Sequence, residues 1–401
     1  MRVTHLTVSG ALGGAERVAL ECIMAGNGWP GVQSSVVVLG SGPFEAAAAE
    51  AGAGTCSVEA PAQLAALGEA FSTAGDVTRA MVPMLRTMPG FYRRFSGAVD
   101  ASNPDVIHSH GVKTHVLSAL LPRHAPVVWH LHDYLSMRSL SSTLLRCLAR
   151  RCALAIAVSE SVARDARGVL PASVPVAVVH NAVDVNRFAP GGPALDLDAL
   201  SGLAPAAPGT IRIGLPATFA KWKGHETFLE AIARLGHLSI RAYVIGGAVY
   251  QTQNSQWSRA GLDETAQRLG LAGRVGFTGL VDDMPAAYRA LDVVVHASTR
   301  PEPFGLVIAE AMACGRALVA APEGGAGELF VDGVHALAAP GGDSNGLADA
   351  IGRLAADAAE RSALGERARA HAVECFGRDR FDVRLRQAFA RIPAAALAEA
   401  S

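Results

Sequence analysis

The chain alternates short apolar runs with longer segments of helical period, and it does so twice. In the first half the runs are VTHLTV (3–8), SSVVVLG (34–40), DVIHSHG (105–111), PVVWHLH (126–132), ALAIAVS (153–159) and VAVVHN (176–181). Strands that are apolar on both faces and separated by helices form parallel sheets covered on both sides. The stretch RFAPGGPALDLDALSGLAPAAPGT (187–210), rich in Pro, Gly and Ala, interrupts the pattern and reads as a linker. Alternation then resumes with IRIGLPA (211–217), RAYVIGG (241–247), RVGFTG (274–279), LDVVVHAS (291–298), RALVAAP (316–322) and HALAAP (335–340). The expected architecture is α/β: two doubly wound, Rossmann-like halves, 1–186 and 211–377, facing each other across a cleft at the carboxyl ends of both sets of strands. Residues 378–401, amphipathic around Phe381, Leu385 and Phe389, read as a terminal helix packed back on the body. The Ala-rich segment 61–103 reads as an inserted pair of helices without a strand.

Composition narrows the function classes. Half of the 401 residues are hydrophobic and 18% are charged, enough apolar material for a large core. The formal net charge of −1 offers no general attraction for nucleic acid, which is not expected as a partner. Six cysteines without a Cys-x-x-Cys pair read as reduced thiols of a cytoplasmic protein, not as a disulfide frame or zinc site. The start MRVTHLTVSG lacks the long apolar segment of a signal peptide and reads as a first strand. No run reaches the ~18–20 apolar residues of a membrane span. Any membrane contact is expected to be peripheral, at an inner face, through the basic and apolar segments MLRTMPGFYRRF (84–95) and RSLSSTLLRCLARR (138–151). The reading as ordinary domain helices with solvated arginines is the favoured one.

Four motifs stand where strands meet helices. The loop SGALGGAERVAL (9–20) carries Gly10, Gly13 and Gly14, which allow either a tight turn or close approach of a phosphate to helix amides. It departs from the G-x-G-x-x-G dinucleotide pattern. Two His-x-His pairs, His108 with His110 and His130 with His132, place two imidazoles on one face of each strand. A metal could use them, but its carboxylate ligands are missing from the usual order, and a single hydrogen-bonding histidine fits better. In ATFAKWKGHETFLEA (217–231), Lys221 and Lys223 crowd a helix start, a local cost that a bound anion would relieve. In RPEPFGLVIAEAMACG (300–315), Glu302 precedes a helix that starts near Gly305, and Glu310 lies within it. Glu302 could cap the helix and Glu310 join a buried salt bridge, or both could hold distant parts of one extended ligand. The segment 246–261, with Tyr250, Gln253 and Trp257, could form a loop over such a ligand.

Taken together these motifs resemble family 4 of the retaining glycosyltransferases. The resemblance runs through GGAER (13–17), HSHG (108–111), WHLHD (129–133), AVSES (157–161), VVHNAVDVNRF (178–188), KWKGHETFLEA (221–231), GFTGLVDD (276–283) and EPFGLVIAEAMACG (302–315). It implies the GT-B fold and transfer of a sugar from a nucleotide-diphosphate sugar to an acceptor hydroxyl with retention. The acceptor, whether glycan, lipid-linked or small molecule, is left open. By the resemblance, Glu302 bonds donor sugar hydroxyls and Glu310 the ribose. The amides around Phe304, Gly305 and Leu306 hold the diphosphate with Lys223, Gly13 and Gly14 approach the same phosphates, and His132 contacts the sugar. The family often has an arginine where this chain has Thr218, and Lys221 is expected to supply the missing cation. No metal or other cofactor is expected, and Asp196-Leu-Asp198, which has the Asp-x-Asp form, reads as linker surface. Three rival readings are a non-catalytic glycan- or partner-binding subunit, a sugar-nucleotide epimerase, and, last, a metal hydrolase built on the histidine pairs.

Overall fold

A computed structural model describes residues 1–62, 64, 74–122, 125–137, 139–248 and 255–393, with the side chains of 74–85, 139 and 140 left aside. Tyr250 and Gln253 lie outside these residues, as do parts of the 61–103 segment and the end of the 378–401 tail.

The apolar runs become strands of two all-parallel sheets. β1 (Arg2–Thr7), β2 (Gln33–Val38), β3 (Gly54–Ser57), β4 (Val106–His110), β5 (Val127–Leu131), β6 (Cys152–Ala157) and β7 (Val176–Val178) form the first, in the order β3-β2-β1-β4-β5-β6-β7. β8 (Ile211–Pro216), β9 (Ile240–Ile245), β10 (Val275–Gly279), β11 (Val293–His296), β12 (Ala317–Ala320) and β13 (Leu337–Ala338) form the second, in the order β10-β9-β8-β11-β12-β13. In each sheet the chain winds outward from its first strand and then reverses, at β1/β4 and at β8/β11. Loops leaving the two strands at such a reversal diverge, which opens a crevice at their carboxyl ends. The motif loops 8–14, 217–224 and 297–305 all leave strands at these reversals.

Burial follows the pattern that parallel sheets require. β5 is buried at every residue, and Val293, Val294 and Val295 of β11 are fully enclosed. β3 is the strand without an apolar run in the sequence: its GTCS is short, lies at the sheet edge and is exposed throughout. The helix Ala74–Ala101 occupies most of the described part of the 61–103 segment and buries Phe91, Phe95 and Val99. No helix among the described residues is long and apolar enough to cross a membrane.

The chain divides into two compact units, Met1–Ala182 with the chain from Arg378 on, and Val183–Gly377. The terminal helix Arg378–Phe389 lays Phe381, Leu385 and Phe389 against Val18, Cys22 and Trp29 of the first unit. Residues 187–210 fall within the second unit, where Asp198 pins them down. Its carboxylate accepts from Tyr243 Oη at 2.7 Å, from Arg241 at 2.8 Å, from Arg212 at 3.1 Å and from the Ala206 amide at 3.0 Å. Burial would raise this carboxyl, but the hydrogen bonds and the charge of Arg241 hold it below its ordinary value. Asp198 is therefore not linker surface. It is 2% exposed, and only Asp196, which caps the short helix Leu197–Leu200, stays in solvent.

Candidate active site

In the second unit, the turn after β8 is held against the exit of β11. Gly224, in the left-handed region at φ +77°, starts the helix His225–Arg234, and a Cβ there would fall 1.8 Å from the Ala297 carbonyl oxygen. Only glycine lets the two loops approach this closely. The Trp222 carbonyl accepts from the Thr299 amide at 2.7 Å and from its hydroxyl at 3.2 Å. This zipper carries Lys223 to Glu302, a neighbour 79 residues along the chain, with Nζ 2.6 Å from Oε2.

Glu302 is the centre of the group. It is 9% exposed, and its Oε2 also accepts from His296 Nε2 at 3.2 Å and from Ser298 Oγ at 3.0 Å. Burial alone would raise its pKa, but the Lys223 ammonium, followed by the His296 hydrogen bond, holds it well below the usual carboxylate range. Because an ionised carboxylate can only accept, His296 carries its proton on Nε2. Its buried Nδ1 has no hydrogen-bond partner among the described residues. The Glu302 backbone is clamped as well: its amide donates to Glu323 O and its carbonyl accepts from Gly325, at 3.1 and 2.7 Å. A carboxylate fixed on both backbone and side chain is preorganised, which is what a recognition group for hydroxyls needs.

Beyond Glu302 the chain enters the helix Leu306–Ala313 through Gly305, at φ +95°. The first-turn amides of an α-helix have no partner within it and carry a positive end of the dipole. The Phe304 side chain turns away into the core, 3% exposed and edge-on to Phe376, so its share in a ligand site is its backbone. Glu310, 8% exposed, faces a different partner: the fully buried Tyr288 donates its hydroxyl to Oε2 at 2.8 Å. The two glutamates thus differ in these partners, Lys223, His296 and Ser298 for Glu302 and Tyr288 for Glu310. Lys221 also parts from Lys223. It is exposed, and its ammonium lies over the Trp257 ring, 5.1 Å from the centroid, whereas that of Lys223 lies 4.0 Å from the Trp222 ring. Thr218, half-buried, stands on the same β8 exit.

In the first unit the glycines of the loop after β1 divide into two kinds. A Cβ on Gly10 would strike the Ser41 carbonyl at 2.3 Å, so Gly10 is a packing glycine. Gly13 caps the helix Gly14–Asn27 from an extended conformation, and a Cβ on Gly14 would meet nothing within 4 Å. Neither local strain nor local packing requires glycine at 14. His132, just past β5, stacks on His130 at 4.7 Å and pairs its Nε2 with His110 Nδ1 at 3.2 Å. Burial lowers its pKa to about 3, so the ring is neutral near pH 7 and can serve by hydrogen bonding.

Sequence reasoning missed His296, Ser298 and Tyr288. His296 and Ser298 could have been found, since they alternate at the end of LDVVVHAS and so share a face with the strand's exit. Tyr288 carried no such signal, because only the packing of the helix Met284–Arg289 brings it to Glu310.

Two doubly wound parallel units of this topology have the GT-B fold, and each half of the chain matches a glycosyltransferase family model. The family model for "Glycosyltransferase Family 4" matches residues 12–187 and that for "Glycosyl transferases group 1" matches 210–357. Among solved structures, Anabaena Alr3699/HepE in complex with UDP and glucose is 26% identical, with a TM-score of 0.80 over 97% of this chain and 99% of that one. Among curated relatives, the lipopolysaccharide core biosynthesis glycosyltransferase LpsE of Rhizobium meliloti is 34% identical over 40% of this chain and 44% of that protein. A D-inositol 3-phosphate glycosyltransferase of Corynebacterium urealyticum is 32% identical over 49% and 47% respectively. These matches span about half the length of the curated relatives.

Proposed function

We propose that this protein transfers a sugar from a nucleotide-diphosphate sugar to an acceptor hydroxyl with retention of anomeric configuration. The observation that carries the reading is the clamped Lys223–Glu302 pair beside the Gly305 helix start, at the β8/β11 reversal. A uridine nucleotide is the first donor to test, because Alr3699/HepE was solved with UDP-glucose.

In this reading the bond between the anomeric carbon and the phosphate oxygen breaks, and negative charge grows on the departing diphosphate. Lys223 and the amides at the Gly305 helix start meet that charge without reorganising, so they stabilise the transition state more than the ground state. Glu302 accepts hydrogen bonds from sugar hydroxyls and Glu310 from the ribose, which sets the anomeric carbon in register with the cationic groups. No divalent ion is needed for this step. Assigning Gly13, Gly14 and His132 to the same donor rests on the family resemblance. So does attack on the face the diphosphate leaves, with a phosphate oxygen taking the acceptor's proton.

The test is a thermal-shift comparison of UDP, GDP, ADP and dTDP, followed by turnover of the selected donor and NMR of the product anomer. A ligand that binds only the folded state raises its stability with occupancy. No shift with any nucleotide removes the donor site, and an inverted anomer removes retention. Peripheral membrane contact belongs to the same reading, through the helix Ser139–Leu148 and its exit, where Leu144, Arg146 and Arg150 are exposed. Co-sedimentation with anionic vesicles checks it, and absence from the pellet refutes it.

A further inference from the structure

Outside the residues assigned to the donor, the first unit holds a second concentration of ligating groups. β4 and β5 run parallel with His110 opposite His130, and β1 places His5 opposite His108. Because side chains alternate along a strand, His108, His110 and His130 project from one face of the sheet. The helix Gly14–Asn27 covers that face and contributes Cys22, and the Phe389 ring closes it edge-on to His108. All four residues are buried, and one ligand atom from each lies within 4.8 Å of those of the others.

We propose that Cys22, His108, His110 and His130 form a binding site for one soft metal ion, cuprous copper in preference to zinc. Metal–nitrogen bonds of ~2.0 Å and metal–sulfur bonds of ~2.3 Å set tetrahedral edges of roughly 3.3–3.8 Å. His130 Nδ1 lies 3.2 Å from His108 Nε2 and 3.8 Å from Cys22 Sγ, so two edges already have this size. The remaining edges, up to 4.8 Å, close by side-chain rotation of ~1 Å.

Charge selects the ion. The cluster holds one thiol and three imidazoles and no carboxylate. Binding of Cu⁺ with loss of the Cys22 proton to solvent gives a neutral centre, whereas Zn²⁺ leaves one uncompensated positive charge in an apolar interior. Thiolate with imidazole is also a donor set that soft monovalent copper accepts. Burial keeps the three imidazoles neutral, with their lone pairs available.

The experiment titrates the full chain with Cu⁺ under anaerobic, reducing conditions against a chromogenic cuprous chelator. The background is Cys56→Ser with Cys147→Ser, which removes the two exposed thiols. One tightly held Cu⁺ per chain is expected, and Cys22→Ser should weaken it by more than the ~10–100-fold that loss of an outer partner costs at metal sites. Copper-edge X-ray absorption of the loaded parent should show one sulfur among nitrogen neighbours, a readout that stands even if Cys22→Ser fails to fold. Sub-stoichiometric binding, unchanged affinity in Cys22→Ser, a shell without sulfur, or zinc outcompeting Cu⁺ would each overturn the proposal.

Discussion

The two strand reversals, β1/β4 and β8/β11, share one topology and carry opposite electrostatics. The first is lined by imidazoles that burial keeps uncharged, His5 and His115 with pKa lowered to about 3 and His108, His110 and His130 well below their ordinary value. The second buries a full ion pair, in which Glu302 stays charged because Lys223, His296 and Ser298 all converge on it. Desolvation opposes charge equally in both, and the outcome depends on whether an opposite charge is within contact. A parallel sheet thus supplies the place, and side-chain chemistry decides whether the groups gathered there are charged or neutral.

Glu302 carries the largest expected effect. Glu302→Ala should lower turnover of the selected donor by ~10²–10³-fold, the scale for losing one preorganised electrostatic contact. It also strips Lys223 of its partner, so Lys223→Ala should fall in the same range, and a double variant should be far from additive. Steady-state kinetics check all three, and near-normal turnover in Glu302→Ala would remove the ion pair from the chemistry.

Glu310→Ala should act on affinity instead, weakening nucleotide binding roughly 10-fold with a smaller loss of turnover, as expected for a group that binds ground and transition states alike. It also leaves the Tyr288 hydroxyl buried without this acceptor, at a cost of ~1–3 kcal/mol in stability. Calorimetric titration with the nucleotide and a denaturant melt separate the two effects. Equal turnover loss with unchanged affinity would overturn the division between the glutamates.

Acid should separate the units. A histidine kept neutral by burial contributes stability that is complete above its unfolded pKa of 6.5 and lost as pH falls toward its folded value. His5 and His115 should each forfeit on the order of 1–2 kcal/mol by about pH 5. Glu302, whose pKa is depressed, contributes stability that is lost only as pH falls below 4.5. In the second unit His225, lowered to about 4, adds one loss of the same kind near pH 5, against the several of the first unit. Limited proteolysis near pH 5 should therefore open the first unit ahead of the second, and the reverse order would contradict the neutral-imidazole account.

The smallest effect is expected at Lys221. A cation over an aromatic face is worth ~0.5–1 kcal/mol at an exposed site, so Lys221→Ala should cost little stability. A several-fold rise in KM for the donor, with kcat unchanged, would support its replacing the arginine absent at Thr218. An unchanged KM would take Lys221 out of the diphosphate site.

The strands were legible because a parallel sheet buries both faces of each strand and so writes continuous apolar runs, of which β5 and β11 are the clearest. β3 was illegible for the converse reason: an edge strand with exposed residues leaves no such run. Gly224 and Gly305 were readable as turns, since their positive φ excludes most other residues. Asp198 was misread because its partners Arg212, Arg241 and Tyr243 lie 14, 43 and 45 residues away, and a proline- and glycine-rich context hid a buried carboxylate.

The sequence by itself determined the strand–helix alternation, the turn glycines and the chemical types at the motif loops, because each depends on residues close along the chain. Tertiary structure decided which of those groups meet. Lys223 reaches Glu302 across 79 residues, Tyr288 reaches Glu310 across 22, and Cys22 joins three histidines from β4 and β5. Sheet order and register set these meetings, and both are fixed by packing of whole elements, which no local pattern records.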